Sequence, residues 1–131
     1  MKPIALITGA TSGIGEATAL LLAKNSYNII VTGRRKERLI SLQNKIKSET
    51  NSDAFILHFD IRSLSETETA IKSLPKNWQN IDVLVNNAAY QYCNSIDKTS
   101  ELEFDKVMAV NVKAPYFIIQ NLIDFLEKVN G

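Results

Sequence analysis

The sequence predicts an α/β fold with a parallel sheet between two layers of helices, and three observations carry this prediction. Four short segments are apolar throughout, as expected for strands that helices cover on both faces; they read PIALIT, NIIVT, AFILHF and IDVLVN. Amphipathic segments with helical spacing lie between them. Because strand and helix alternate four times, right-handed crossovers should join the four strands into one parallel sheet.

The first two helices are predicted from apolar residues that recur at helical spacing. In the first helix, the residues expected to face the sheet are Ile14, Ala17, Leu21 and Leu22. Asn25 is the expected end of this helix. In the second helix, the corresponding residues are Leu39, Leu42 and Ile46, with lysines on the opposite face.

Start signals mark the third and fourth helices. Ser63 is followed three residues later by Glu66, and Ser100 is followed by Glu103 in the same way. In such a capping box the serine side chain accepts a hydrogen bond from a backbone N–H that the helix itself leaves unpaired. The longest irregular stretch, residues 88–99, precedes the fourth helix.

Length and composition favour one intracellular domain over residues 1–131. The chain has 45% apolar residues, which is enough for one core, and a net charge of +1, which favours neither nucleic acid nor a membrane surface as partner. The first strand begins near Pro3, leaving no room for a signal peptide, and no segment is long enough to span a membrane. A lone Cys93 fits the cytoplasm, and with the single His58, expected in the core, it makes no metal site.

A cluster of glycines lies where the first strand should become a helix. The segment TGATSGIG places Gly9, Gly13 and Gly15 directly after the strand and at the opening of the helix. Unpaired N–H groups and the helix dipole attract an anion there, and glycine lets the backbone approach a pyrophosphate closely. The alternative is a tight strand-to-helix turn without a ligand. The position inside a strand-helix-strand unit favours the nucleotide site.

Four motifs, in order along the whole chain, resemble those of the short-chain dehydrogenase/reductase family. They are TGATSGIG, FDI at Phe59 to Ile61, NNAA at Asn86 to Ala89, and NV at Asn111. The resemblance implies a Rossmann-type sheet of strand order 3-2-1-4 and hydride transfer between a nicotinamide cofactor and a small carbonyl or alcohol substrate. It also implies that cofactor contacts come from the glycine-rich loop, through Gly9, Thr11, Ser12, Gly13, Ile14 and Gly15.

The end of the second strand favours NADP(H) as the cofactor. A carboxylate at this point would bind the ribose 2′-hydroxyl of NAD and repel a 2′-phosphate, but the sequence reads Thr32, Gly33, Arg34, Arg35. Arginine presents a planar fork of donors that suits phosphate oxygens, so Arg34, with Arg35 in support, favours NADP(H). The alternative is that both arginines are simply solvated. The missing carboxylate also disfavours a methyltransferase that binds S-adenosylmethionine.

The resemblance assigns further cofactor contacts after the third and fourth strands. Asp60 would meet the adenine amino group and Ile61 would add a backbone contact, although Asp60 could also be only a turn acceptor. Support for the cofactor ribose would come from Asn86, Asn87 and Ala88; the alternative is an ordinary turn. Ala89 replaces the usual last glycine of this motif, which would be costly if the position needs a positive φ.

Asn111 is the one catalytic residue that can be assigned. Pro115 has no N–H and cannot bond to the Asn111 carbonyl four residues earlier, so the helix should distort and leave that carbonyl free. The family uses an asparagine at the matching position to hold a water in a proton relay. The alternative is a polar helix residue that meets water by chance.

The family's tyrosine and its lysine four residues later are not among these residues. The positions four after Tyr27, Tyr90, Tyr92 and Tyr116 hold Val31, Asn94, Ile96 and Gln120. The chain is therefore expected to be the cofactor-binding half of an NADP(H)-dependent oxidoreductase, inactive alone, with the carboxyl-terminal strands missing. The alternative is a non-catalytic nucleotide-binding or interaction module. An open sheet edge and an unusually apolar fourth helix predict a homo-oligomer that forms through this helix.

Overall fold

The computed structural model describes all residues from 1 to 131. Its four parallel strands form one sheet in the order β3-β2-β1-β4, which confirms the predicted order. The strands are β1 (Ile4–Ile7), β2 (Asn28–Gly33), β3 (Ala54–His58) and β4 (Ile81–Val85). The two open edges of the sheet therefore belong to β3 and β4.

Five α-helices connect and follow these strands. They are α1 (Gly13–Lys24), α2 (Lys36–Glu49), α3 (Leu64–Lys72), α4 (Glu101–Met108) and α5 (Ala114–Val129). Short 3₁₀ turns lie at Lys76–Trp78 and Ile96–Lys98, and a π-helical turn at Ala109–Lys113 joins α4 to α5. None of the helices combines the length and the apolar character needed to cross a membrane.

The core consists of two apolar layers, one on each face of the sheet. Side chains alternate between the faces of a strand, so Ala5 and Ile7 of β1 enter one layer while Ile4 and Leu6 enter the other. The first layer packs against α1 and α2, and the second against α3 and α5. All four residues of β1 are buried, which explains why this strand is apolar throughout.

The side of α1 that faces the sheet differs from the prediction in three of four residues, and only Leu22 packs against the core as predicted. Ile14 and Leu21 are 78% and 62% exposed, and Ala17 is exposed as well. The buried residues of α1 are the small ones, Gly15, Ala19 and Ala23. Small residues allow the helix axis to lie close to the sheet. The helix therefore packs through its small side chains and leaves larger apolar ones exposed. In α2 the predicted buried residues, Leu39, Leu42 and Ile46, are confirmed.

Both predicted serine caps are present, but their glutamates differ from a capping box. Ser63 Oγ accepts from the N–H of Glu66 at 3.3 Å, and Ser100 Oγ accepts from the N–H of Glu103 at 3.2 Å. The Glu66 carboxylate accepts from the backbone N–H of Asp60, and the Glu103 carboxylate accepts from Tyr90 and Lys106. Each glutamate thus connects a helix start to the carboxyl edge of the sheet.

The fourth predicted helix is interrupted before Pro115. The π-helical turn begins at Ala109, whose carbonyl accepts the N–H of Ala114, five residues later. Proline cannot supply the N–H that the regular pattern requires at the next position, and a π turn is a common way to absorb such a defect. The predicted distortion is confirmed, and Asn111 lies at its centre.

Candidate functional site

An open cleft of about 360 Å³ lies at the carboxyl edge of the sheet. It is bordered by the glycine-rich loop after β1, the turns after β2 and β3, and the segment after β4. Predicted site residues in its wall are Gly9, Thr11, Ser12, Arg34, Arg35, Asp60, Ile61, Asn87 and Ala88. Outside the wall are Gly13, Ile14, Gly15, Asn86 and Asn111. The topology therefore brings most of the predicted residues together from four separate segments.

The three loop glycines are needed for different reasons. Gly9 and Gly13 have φ values of 63° and 57°, in the left-handed region that other residues avoid. A Cβ on Gly9 would lie 2.8 Å from the Ala88 Cα, and one on Gly15 would lie 2.4 Å from Asn87 Nδ2. Beside Gly13 there is open space. Close packing thus explains Gly9 and Gly15, whereas at Gly13 the positive φ alone favours glycine.

The first turn of α1 carries backbone N–H groups that have no acceptor within the helix. A helix leaves its first N–H groups without an intrahelical partner, and Ser12, the residue before α1, makes no side-chain cap. Ile14, on the same turn, is 78% exposed. These donors and the positive end of the helix dipole suit a phosphate group.

The two arginines after β2 have different environments. Arg35 Nη2 donates to Thr11 Oγ1 at 2.8 Å and lies 3.4 Å from Ser12 Oγ, so this side chain bridges to the glycine-rich loop. The Arg34 side chain makes no hydrogen bond within the chain, while its carbonyl lies 2.9 Å from Nε2 of His58. His58 is exposed at the end of β3, so its expected place in the core is wrong.

The turn after β3 carries an ion pair that the sequence did not predict. Arg62 Nη2 lies 2.6 Å from Asp60 Oδ2, and Arg62 Nε lies 3.0 Å from Asp60 Oδ1. These hydrogen bonds from the guanidinium lower the pKa of the Asp60 carboxyl. The Arg62 backbone N–H also donates to Asp60 Oδ1, at 3.0 Å. Asp60 is therefore a turn acceptor and also lines the cleft.

Asn87 fastens the segment after β4 to the glycine-rich loop. Its Nδ2 lies 3.1 Å from the carbonyls of both Thr8 and Gly9. The buried Thr8 hydroxyl accepts from the backbone N–H groups of Asn87 and Ala88, each at 3.0 Å. Asn86 is exposed and makes no side-chain hydrogen bond. The sequence did not indicate Thr8, although a threonine at the end of a buried strand is a weak signal for such a role.

Ala89 occupies its position without backbone strain. The only non-glycine residues with positive φ are Ser26 and Asn130. The cost anticipated for alanine in place of glycine therefore does not arise.

The amide side chain of Asn111 clamps the backbone of Tyr90. Asn111 Oδ1 accepts from the Tyr90 N–H at 2.8 Å, and Asn111 Nδ2 donates to the Tyr90 carbonyl at 2.9 Å. The Tyr90 hydroxyl donates to Glu103 at 2.9 Å, and this bond raises the pKa of the phenol. Lys106 completes the cluster, 2.9 Å from Glu103. Both ends of the Asn111 amide are therefore engaged by the Tyr90 backbone.

The fold is that of a doubly wound α/β protein, and its cleft lies at the carboxyl edge of the sheet, where such folds bind ligands. Residues 3–131 match the family described as short chain dehydrogenase, and the chain belongs to this family.

Similar proteins agree with this assignment. An uncharacterized oxidoreductase of Thermotoga maritima is 34% identical over 128 residues, which cover 98% of this chain and 50% of that protein. The NADP-dependent 3-hydroxy acid dehydrogenase YdfG of Escherichia coli K12 is 41% identical over 85 residues, 65% of this chain and 33% of that protein. The alcohol dehydrogenase of Thermococcus sibiricus, complexed with 5-hydroxy-NADP, superposes with a TM-score of 0.94 at 29% identity, covering 98% of this chain and 55% of that one. The chain thus spans about half the length of the first of these relatives.

Proposed function

We propose that this chain binds NADP(H) and forms the cofactor-binding part of an oxidoreductase that transfers hydride between NADPH and a small carbonyl or alcohol. The observation that carries the cofactor choice is the pair Arg34 and Arg35, which line the cleft where β2 ends without a carboxylate. A planar guanidinium can donate two parallel hydrogen bonds to a phosphate, and nothing acidic on β2 opposes a 2′-phosphate. One of the similar proteins is named NADP-dependent, and another is complexed with 5-hydroxy-NADP.

Residues in the cleft wall and directly beside it in the chain fit the parts of such a cofactor. The first-turn N–H groups at Gly13, Ile14 and Gly15 would hold the pyrophosphate. The ribose 2′-phosphate would lie between Arg34 and Arg35, beside Thr11 and Ser12. A Cβ on Gly33 would lie 2.8 Å from Thr11 Cγ2, so glycine at this position lets the turn after β2 lie close to the glycine-rich loop.

The remaining contacts would hold the two ends of the dinucleotide. Asp60 and Ile61 would take the adenine, and the nicotinamide ribose would be supported by Asn86, Asn87 and Ala88. When bound, the nicotinamide supplies or accepts the hydride. Asn111 would hold a water of the proton relay, as the family's asparagine does, beside the Tyr90 segment that its amide clamps.

Direct binding tests this proposal without any need for turnover. NADPH should quench intrinsic fluorescence or release heat on titration into the folded chain, and it should bind more tightly than NADH. A folded chain that binds neither dinucleotide would contradict the proposal. The substrate class is tested separately, by turnover of small carbonyl compounds once a family-type carboxyl-terminal half is present.

A further inference from the structure

Asp60 is held from two sides at the end of β3. On one side, the Arg62 guanidinium contacts both carboxylate oxygens, with Nε 3.0 and 3.1 Å from them and Nη2 2.6 Å from Oδ2. On the other side, the backbone N–H of Asp60 donates to Glu66 at 2.8 Å, and its carbonyl accepts from Ser63 at 2.9 Å. Neither the backbone nor the carboxylate of Asp60 is therefore left to rotate.

The Asp60 carboxylate nevertheless retains acceptor capacity toward the cleft. A carboxylate offers about four lone-pair sites, and Arg62 brings three donors to it: its backbone N–H, its Nε–H, which is shared between both oxygens, and its Nη2. About one acceptor site is therefore left for a ligand. The Asp60 side chain is 25% exposed and lines the cleft together with Arg62. A ligand amino group can therefore reach an oxygen whose orientation is already fixed.

We propose that Arg62 is a positioning residue that fixes the Asp60 carboxylate for selective recognition of a 6-aminopurine over a 6-oxopurine base. This inference rests on the proposed function, in which Asp60 meets the adenine. Adenine presents an amino donor at this position, whereas hypoxanthine presents a carbonyl oxygen that a fixed carboxylate repels. A carboxylate freed from Arg62 can turn away from that oxygen, so the selectivity depends on the ion pair.

Arg62 has a different role from the arginines that would serve the 2′-phosphate. Both oxygens of Asp60 engage the Arg62 side chain, whereas the Arg34 side chain is unpaired and Arg35 turns to the glycine-rich loop. Changing Arg62 should therefore alter the selectivity for the base, while changing Arg34 should alter the selectivity for the phosphate.

The test compares dissociation constants of NADPH, NADH and nicotinamide hypoxanthine dinucleotide phosphate, measured by calorimetry. For Arg62→Gln we expect the preference for adenine over hypoxanthine to fall roughly fivefold, within the range of an ordinary hydrogen bond. The preference for NADPH over NADH should stay within about twofold of the starting protein. Arg62→Lys, which keeps the charge but not the planar fork, should give an intermediate base preference.

Two further variants make the assignment specific. Lys47→Gln removes the same charge from the exposed last turn of α2 and should change neither preference. Asp60→Asn should abolish most of the base preference, and adding Arg62→Gln to it should have no further effect, as expected for two residues that act as a unit. Far-ultraviolet circular dichroism confirms that each variant is folded.

The outcomes distinguish this inference from the proposed function. If a folded chain binds no NADPH, the proposed function fails and this inference fails with it. If NADPH binds but Arg62→Gln leaves the base preference unchanged, or lowers only the preference for NADPH over NADH, the proposed function stands and the positioning role of Arg62 is wrong.

Discussion

The Arg35 side chain bridges from the turn after β2 to the glycine-rich loop, with its Nη2 atom 2.8 Å from the Thr11 hydroxyl. This contact ties together the two segments between which a 2′-phosphate would lie. Arg34 differs from Arg35 because its side chain has no partner within the chain. The two adjacent arginines are therefore expected to contribute differently to cofactor binding.

Replacing Arg34 should remove most of the preference for NADPH over NADH. Its unpaired guanidinium can turn to a 2′-phosphate without breaking a bond, so Arg34→Ala should cost on the order of 1.5 to 3 kcal/mol of NADPH binding and little of NADH binding. The preference should also shrink as salt rises, because the arginine is exposed. Calorimetric titration measures both effects, and Lys47→Ala is a control of equal charge. Equal affinities of the unaltered chain for the two dinucleotides would contradict the prediction.

Alanine should be tolerated less well at Gly9 than at Gly13. Both glycines have positive φ, which costs a residue with a Cβ about 1–2 kcal/mol. A Cβ at Gly9 would also lie 2.8 Å from Ala88 Cα, which adds an overpacking cost of about 1–3 kcal/mol, whereas Gly13 faces open space. Urea denaturation should show the larger loss in the free energy of unfolding for Gly9→Ala. Equal losses would mean that the loop relaxes away from Ala88.

The ion pair between Asp60 and Arg62 should stabilise the fold in a pH-dependent way. Arg62 lowers the folded-state pKa of Asp60 below its usual value near 3.8. When a carboxyl group has a lower pKa in the folded state, its ionised form stabilises the fold at pH values above the unfolded-state pKa. This stabilisation is lost as the pH falls through the folded-state pKa. The difference in unfolding free energy between the unaltered chain and Arg62→Gln should thus be constant above about pH 5 and shrink below pH 3.8. Urea denaturation across this range measures it, and a difference that grows on acidification would have the wrong sign.

The exposed side of α4 and α5 should cause the chain to associate. Apolar residues recur there at helical spacing and are 40% to 65% exposed: Met108, Val112, Tyr116, Ile119 and Ile123. Light scattering at micromolar concentration should detect a dimer or larger species, and Val112→Glu with Ile119→Glu should reduce it. Leu21→Glu, at an exposed position of α1, is the matched control. If the unaltered chain is a monomer at this concentration, the exposed side of α4 and α5 does not mediate self-association and the prediction is wrong.

The strands were predictable because they are apolar, and burial is most complete in β1 and β2. The strand order was predictable only through the family resemblance. The prediction failed for α1, where close packing selects Gly15, Ala19 and Ala23 and leaves larger apolar residues exposed. Periodicity weighted toward large side chains cannot detect a helix packed through small ones.

Site residues were predictable where a local motif requires them and were missed where only tertiary contacts define them. Gly9 and Asn87 belong to motifs that can be read along the chain. The contacts of Arg62 with Asp60, and of Tyr90 with Asn111, depend on side-chain directions that spacing does not determine. The distortion near Asn111 was predictable because Pro115 removes a particular donor, but its form as a π turn depends on how the following helix packs.

The 131 residues alone should bind NADPH without measurable reductase activity. Hydride transfer to a carbonyl creates an alkoxide that needs a proton, and a positioned acid is typically worth 10²- to 10⁴-fold in rate. The tyrosine in the cleft, Tyr90, donates to Glu103, which raises the pKa of its phenol, and the residue four positions later is Asn94, not lysine. Adding a family-type carboxyl-terminal half with its serine, tyrosine and lysine should restore turnover, which Asn111→Leu should then lower. NADPH oxidation by the 131 residues with small aldehydes or ketones, above a control without protein, would place the proton donor among these residues and overturn the prediction.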